Sequence, residues 1–167
     1  RELVEELTDV RDAVDTVARR SDSLMHFVQS DRRLTRLPPP EKEQLNLKTI
    51  FQDTLRVATV NWLEKNIQIE MDVATDGLEI SADREMLEQM LINLLKNAEQ
   101  ALEHIENPRV QLSARLNKRG RIVIEVSDNG SGITEELAAK IFVPFYTTKR
   151  DGSGVGLALT RQVMIAH

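Results

Sequence analysis

From Leu3 onward, Leu3, Leu7, Val10, Val14, Val17, Ser21, Leu24 and Val28 recur at alternating steps of four and three. That spacing gives an apolar seam by which one helix packs along another. The register weakens beyond Val28 until Leu34 and Leu37, and Pro38, Pro39 and Pro40 end the helix, since proline lacks the amide donor and restricts the residue before it. The pattern predicts a long coiled-coil-like helix over 1–37, a proline linker over 38–43 and a separate domain over 44–167. A surface helix folded back onto the following domain is the alternative reading. Within that domain, Leu47 to Leu63 has helical spacing, with Leu47, Ile50, Phe51, Leu55 and Ala58 on one side. "NIQIEMDV" (Asn66 to Val73) alternates with period two, and "LEIS" (Leu78 to Ser81) follows the turn signal Asp76-Gly77, so the pair predicts a hairpin. A helix follows from Asp83 to about Ile105, then two alternating runs, Arg109 to Leu116 and Arg121 to Asp128, and a last helix from about Val155. The order predicts a mixed α/β (α+β) layer fold, helices covering one face of a largely antiparallel sheet.

On the helix through "LEQMLINLLKNAEQAL", Leu87, Leu91, Leu94, Leu95, Ala98 and Leu102 gather on one side and Asn93, Lys96, Asn97 and Gln100 on an adjacent stripe. Asparagine costs several tenths of a kcal/mol against alanine in a helix, so two of them one turn apart beside a core face look placed to meet something. Their carboxamide oxygens suit a hard cation such as Mg²⁺, and Lys96 could offer its charge to phosphate. Solvated or mutually hydrogen-bonded amides are the alternative. The run "VIEVSDNGSGI" brings Asp128 to a strand end before Gly130 and Gly132. There a carboxylate can accept a hydrogen bond from an exocyclic amine and the glycines let a flat base approach the backbone; Asp-Asn-Gly is also a turn signal.

In "FVPFYTTKRDGSGVGLALTRQ", Gly152, Gly154 and Gly156 precede a helix, so bare amides and a helix N-terminus would face one point, which favours phosphate. The loop is not a P-loop, because no Gly-Lys-Ser/Thr closes it. It reads as a lid, with Phe142 and Phe145 as apolar anchors seating it on the core and Lys149 and Arg150 adding positive charge. A solvated linker is the alternative.

Composition narrows the classes. The chain has 167 residues, 41% hydrophobic and 29% charged, with no cysteine and a formal net charge of −5. Disulfides and thiolate metal sites are excluded, and a reducing compartment fits. The negative balance argues against general nucleic-acid binding. No apolar run approaches the roughly 20 residues a bilayer crossing needs, and no secretory signal pattern is read.

Taken in order, "NLLKNA", "DNGSGI", "FVPFYTT" and "GSGVGLAL" resemble the N box, first glycine box, F box and second glycine box of the catalytic ATP-binding domain of sensor histidine kinases, a branch of the superfamily that includes DNA gyrase. "PFYTTK" and "NAEQAL" are most similar to the nitrogen-regulation type. The resemblance covers Gln44 to His167, and the helix before it resembles the second helix of the dimerisation and phosphotransfer domain. It implies a Bergerat-type α/β sandwich that binds ATP and Mg²⁺. Asn97 would coordinate the metal, Asn93 would support metal or phosphates, and Lys96 and Lys149 would contact phosphate. Asp128 would bind the adenine amino group, and Gly130 and Gly132 would shape the base pocket. Gly152, Gly154 and Gly156 would let the lid close over the triphosphate, and Ile133, Thr148, Ser153, Val155 and Leu157 would also bind the nucleotide. Hydrolytic members carry a glutamate four residues before the metal asparagine; here that place is Asn93, which is no general base. The implied reaction is therefore γ-phosphoryl transfer to a histidine, with a response regulator as partner, a homodimer through helix 3–37, no membrane contact and a cytoplasmic location.

The acceptor-histidine motif is absent: His26 is followed by Phe27-Val28-Gln29. The resemblance implies a further dimerisation helix carrying that histidine and further strands after His167, so the chain reads as a fragment. An anti-sigma-factor type serine kinase, or a non-catalytic docking module with vestigial nucleotide boxes, are the competing readings.

Overall fold

The computed structural model describes residues 37–149 and 152–167. The expected seam helix and its dimer role, with His26, fall outside them except for Leu37, which is not helical and packs against the domain core. Arg150 also falls outside. In chain order the elements are β1 (Glu43–Asn46), α1 (Leu47–Ala58), β2 (Gln68–Val73), β3 (Glu79–Ala82), α2 (Arg84–Ala101), β4 (Arg109–Leu116), β5 (Ile122–Asp128), the short α3 (Glu135–Ala138) and α4 (Gly156–Ala166).

The strands form two sheets, an antiparallel β1–β3 pair and a mixed sheet ordered β2-β4-β5, with β2 parallel to β4 and β4 antiparallel to β5. The expected β2–β3 hairpin is therefore corrected. Apolar matching decides it: Ile69, Met71 and Val73 lie opposite Val110, Leu112 and Ala114, while Ile80 of β3 lies opposite Leu45 of β1. Cross-strand pairs of this kind stabilise a sheet, and a turn signal between two runs cannot supply them. The β4–β5 hairpin forms over Asn117 to Gly120 as expected, Gly120 adopting φ +71°.

Helix α1 stops earlier than its apolar spacing predicts. Thr59 Oγ1 donates to the Leu55 carbonyl at 2.7 Å, a back-bond that competes with continuation, and the chain turns so that Trp62 enters the core. One core cluster joins Leu47, Ile50 and Phe51 of α1 to Leu87, Met90 and Leu91 of α2, to Leu112 and Ala114 of β4, and to Val163 of α4. A second joins Trp62 and Ile67 to Leu95, Ala98, Leu102 and Val110. The expected core face of α2 is borne out, with Met90 added and Leu94 only partly buried.

Both long N-terminal helix starts are capped by the residue types that favour caps. Asn46 Oδ1 accepts from the Thr49 amide at 3.1 Å, and Asp83 Oδ1 accepts from the Met86 amide at 3.1 Å. The other Asp83 oxygen accepts from the Glu41 amide at 2.9 Å, tying the proline-rich entry to α2. At the far end of the chain, His167 Nε2 accepts from the Asp83 amide at 3.0 Å, so its Nδ1 carries the proton donated to Val163 O at 2.7 Å. The amides of Met86 and then Glu41 hold the Asp83 carboxyl below its ordinary range. A carboxylate depressed in the folded state stabilises it above the unfolded value, about 3.9, and loses that effect as pH falls through the folded value. Asp83→Ala is thus expected to cost about 1 kcal/mol at neutral pH and progressively less in acid, measured by denaturant unfolding of both proteins at pH 7 and pH 3.

Candidate functional site

Helix α2 carries the site on one stripe. Asn93, Asn97, Gln100 and Ala101 fall within about a quarter-turn of one another at 100° per residue, beside the buried face. The core fixes this stripe: with Leu91, Leu95 and Ala98 packed inward, the asparagines stand half-buried at its margin.

At the N-terminal end of the stripe, Asn93 meets α4. Asn93 Nδ2 donates to Thr160 Oγ1 at 3.0 Å, and Thr160 Oγ1 donates to the Gly156 carbonyl at 3.0 Å. This chain orients the carboxamide, and a Cβ at Gly156 would lie 2.0 Å from Asn93 Oδ1. Only glycine lets the start of α4 approach so closely. The preceding Val155 is buried and provides no side-chain cap, which leaves first-turn amides of α4 without a helical acceptor, as an anion site requires.

In the middle of the stripe stands Lys149. Its Nζ donates to Asn97 Oδ1 at 2.9 Å and also to Gln100 Oε1. Lysine 149 is exposed as a residue, yet burial of its ammonium against the two carboxamides lowers its pKa from the ordinary lysine value. Its backbone amide donates to Thr147 Oγ1 at 3.1 Å. The neck of this segment is closed by the Phe145 amide on the Gly154 carbonyl at 2.8 Å. Gly154 has φ +67° and its Cβ position lies 2.5 Å from Phe145 C, so glycine is required there twice over; Phe145 itself takes φ +65°, a strained choice for an aromatic residue.

At the C-terminal end of the stripe lies the strand tip. The register pairs Asp128 with Val110, which places it on the helix-covered face of the sheet. Asp128 Oδ1 accepts from the Gly130 amide at 2.9 Å, and the Ser131 amide donates to Ala101 O, at the end of α2, at 3.3 Å. The glycine turn is thereby pinned to the helix that bears the asparagines.

The structure thus gathers Asn93, Asn97, Asp128, Gly130, Lys149, Gly154 and Gly156 along one helix. Lys96 is exposed and makes no hydrogen bond or ion pair with the described residues. Gly132 has φ +73° with open space around it, and Ile133 is exposed. Thr148 and Ser153 are exposed, and Gly152 and Leu157 half-buried. The apolar anchors are corrected: Phe142 and Phe145 are 43% and 40% exposed and belong to neither core cluster. Sequence reading missed Thr160 as the hydroxyl that orients Asn93. Its signal was a hydroxyl residue one turn after Gly156, closing the apolar run Leu157-Ala158-Leu159. An open polar hollow of about 370 Å³ on the outer face of the sheet, lined by Glu70, Gln111 and Ser127 among others, touches the site through Asp128; it is not the space between α2 and α4.

Comparison with known proteins places the chain in a family. The family model of the histidine kinase-, DNA gyrase B- and HSP90-like ATPases matches residues 82–167. The chain is 32% identical to the signal transduction histidine-protein kinase AtoS of Escherichia coli, over 92% of this chain and 25% of that protein. It is 28% identical to the nitrogen regulation protein NtrY of Azorhizobium caulinodans, over 100% of this chain and 21% of that protein. The chain therefore spans a quarter or less of the length of these relatives. Among solved structures, a nucleotide-free form of the catalytic domain of histidine kinase ThkA superposes with a TM-score of 0.66 at 31% identity, over 74% of this chain and 79% of that one. By sequence and by fold, the chain belongs to the histidine kinase-, DNA gyrase B- and HSP90-like ATPase family, as the catalytic ATP-binding domain of a sensor histidine kinase.

Proposed function

We propose that the chain binds ATP with Mg²⁺ along the α2 stripe and, within its whole protein, transfers the γ-phosphoryl group to a histidine for relay to a response regulator. The observation that carries this reading is the attachment of three separate segments, the Asp128 turn, the Lys149 segment and the start of α4, to one amide-bearing helix. Asp128 offers a carboxylate to the adenine amino group, and Gly130, Gly132 and Ile133 border the base. Free first-turn amides of α4 and the backbone of Gly152, Gly154 and Gly156 face the phosphates, with Thr148, Ser153, Val155 and Leu157 beside them. Lys96 and Lys149 supply positive charge, Lys96 from its solvated position.

The donors fit a hard cation. Two neutral amide oxygens, of Asn97 and Gln100, already converge on one positive charge, the Lys149 ammonium, and oxygen donors are what Mg²⁺ requires. A bound Mg²⁺ would neutralise charge on the phosphates. The protein's own part is positioning. Asn93 is held by Thr160 against Gly156, and a carboxamide takes no proton from water, so attack by a water molecule receives no general-base help. That favours transfer to an incoming side chain over hydrolysis. Relatives named as sensor histidine kinases favour this reading over the serine-kinase alternative. Dimerisation through helix 3–37 and a cytoplasmic location belong to the same proposal; no helix among the described residues is long and apolar enough to cross a membrane.

Binding of a fluorescent ATP analogue with and without Mg²⁺ tests the site. The wild-type chain should bind more tightly with Mg²⁺, and Asn97→Ala should make binding insensitive to the metal. A variant that keeps the full Mg²⁺ dependence would remove Asn97 from the metal's surroundings. Labelled phosphohistidine on a separately supplied dimerisation helix bearing the acceptor histidine tests the transfer step.

A further inference from the structure

Lys149 is held in an unusual way for a cation. Among the described residues its ammonium meets two neutral oxygens, Asn97 Oδ1 and Gln100 Oε1, and no carboxylate forms an ion pair with it. Taking an ammonium partly out of water without an opposite charge is unfavourable, so two carboxamide dipoles hold it only modestly. The partners lie three residues apart on α2, which puts their side chains on one face. The backbone at Lys149 is meanwhile tied to Thr147 Oγ1. The geometry describes a small seat for one positive charge, formed by helix amides and filled by the protein itself.

We propose that Gln100 completes this seat with Asn97, and that the Lys149 ammonium occupies it as an internal cation which a divalent metal must displace when nucleotide binds. The inference rests on the ATP reading above and goes beyond it in two respects. Gln100 becomes a positioning residue for the metal, and Lys149 becomes a competitor of the metal before it is a contact of the phosphates. Displacement has a direction: a divalent ion has the higher charge for the same two oxygens, and the ammonium released stands beside the incoming phosphates.

Competition and cooperation predict opposite shifts, which makes the test sharp. The Mg²⁺ concentration giving half-maximal binding of a fluorescent ATP analogue is measured at fixed analogue and about 150 mM salt, where exposed charges are largely screened. Lys149→Met removes the competitor and should lower that midpoint about threefold or more, even if affinity at saturating Mg²⁺ falls. Gln100→Leu removes a seat oxygen and should raise it by a similar factor. In nucleotide-free protein, the ammonium protons of Lys149 should give an observable ¹⁵N-correlated signal that Gln100→Leu abolishes. Both positions are exposed, and thermal melts confirm that the variants fold. A midpoint that stays or rises in Lys149→Met, or stays unchanged in Gln100→Leu, while the analogue still binds, overturns the seat and leaves the ATP reading standing. Absence of analogue binding by the wild-type chain at every Mg²⁺ concentration overturns both.

Discussion

Asp128→Ala is expected to weaken binding of a fluorescent ATP analogue by about 10- to 100-fold, because a hydrogen bond to a charged group is worth about 1.5–3 kcal/mol. The position is exposed at a strand tip, so stability should change little by comparison. One structural contact must be separated from the recognition role: Asp128 Oδ1 also accepts from the Gly130 amide. Asp128→Asn keeps an acceptor for that amide and the shape of the turn, but replaces the carboxylate proposed to receive an adenine amino group. Loss of affinity in both variants with unchanged melting temperature supports base recognition. Wild-type affinity in Asp128→Asn would assign the residue to the turn alone.

Gly130→Ala should damage both stability and binding. A Cβ there would lie 2.4 Å from the Ala101 carbonyl oxygen, 2.7 Å from Asp128 Oδ1 and 2.8 Å from Ala101 C. The nearest obstacle is backbone at the end of α2, anchored by the Ser131 amide, so the turn has to move away from the helix. Overpacking of this kind costs about 1–3 kcal/mol, and the displaced turn carries Asp128 with it, which should reduce analogue affinity about tenfold. Gly77→Ala is the control, since nothing lies within 4 Å of its Cβ position and its φ is not left-handed; alanine there should be neutral or slightly stabilising. Equal melting temperatures for the two variants would show that the Gly130 turn is not held against α2.

Much of the site was legible in the chain because its parts are local. The inward face of α2 follows from helical period alone, and with Leu91 and Leu95 inside, the places of Asn93 and Asn97 at its edge are fixed. Asp128 before its glycines, and Gly156 before a helix, are likewise features of a few consecutive residues. The β2–β3 hairpin failed for the opposite reason. Asp76-Gly77 permits a reversal, but whether Ile69, Met71 and Val73 pair with β3 or with β4 depends on partners 40 residues or so away in sequence, and the apolar match with Val110, Leu112 and Ala114 prevails. The phenylalanine anchors failed because hydrophobicity specifies a preference for burial without specifying a place for it.

The sequence by itself determined the helix stripe, the strand-tip acid, the glycine-rich approach to α4 and the family to which they belong, since periodicity and short motifs are properties of neighbouring residues. Only the tertiary structure decided that β2 runs parallel to β4, that Thr160 orients Asn93 across 67 residues, and that Lys149 reaches Asn97 and Gln100 from 52 and 49 residues away. Those contacts are set by how helices and strands pack around a shared core, and no local pattern encodes which distant side chains that packing brings face to face.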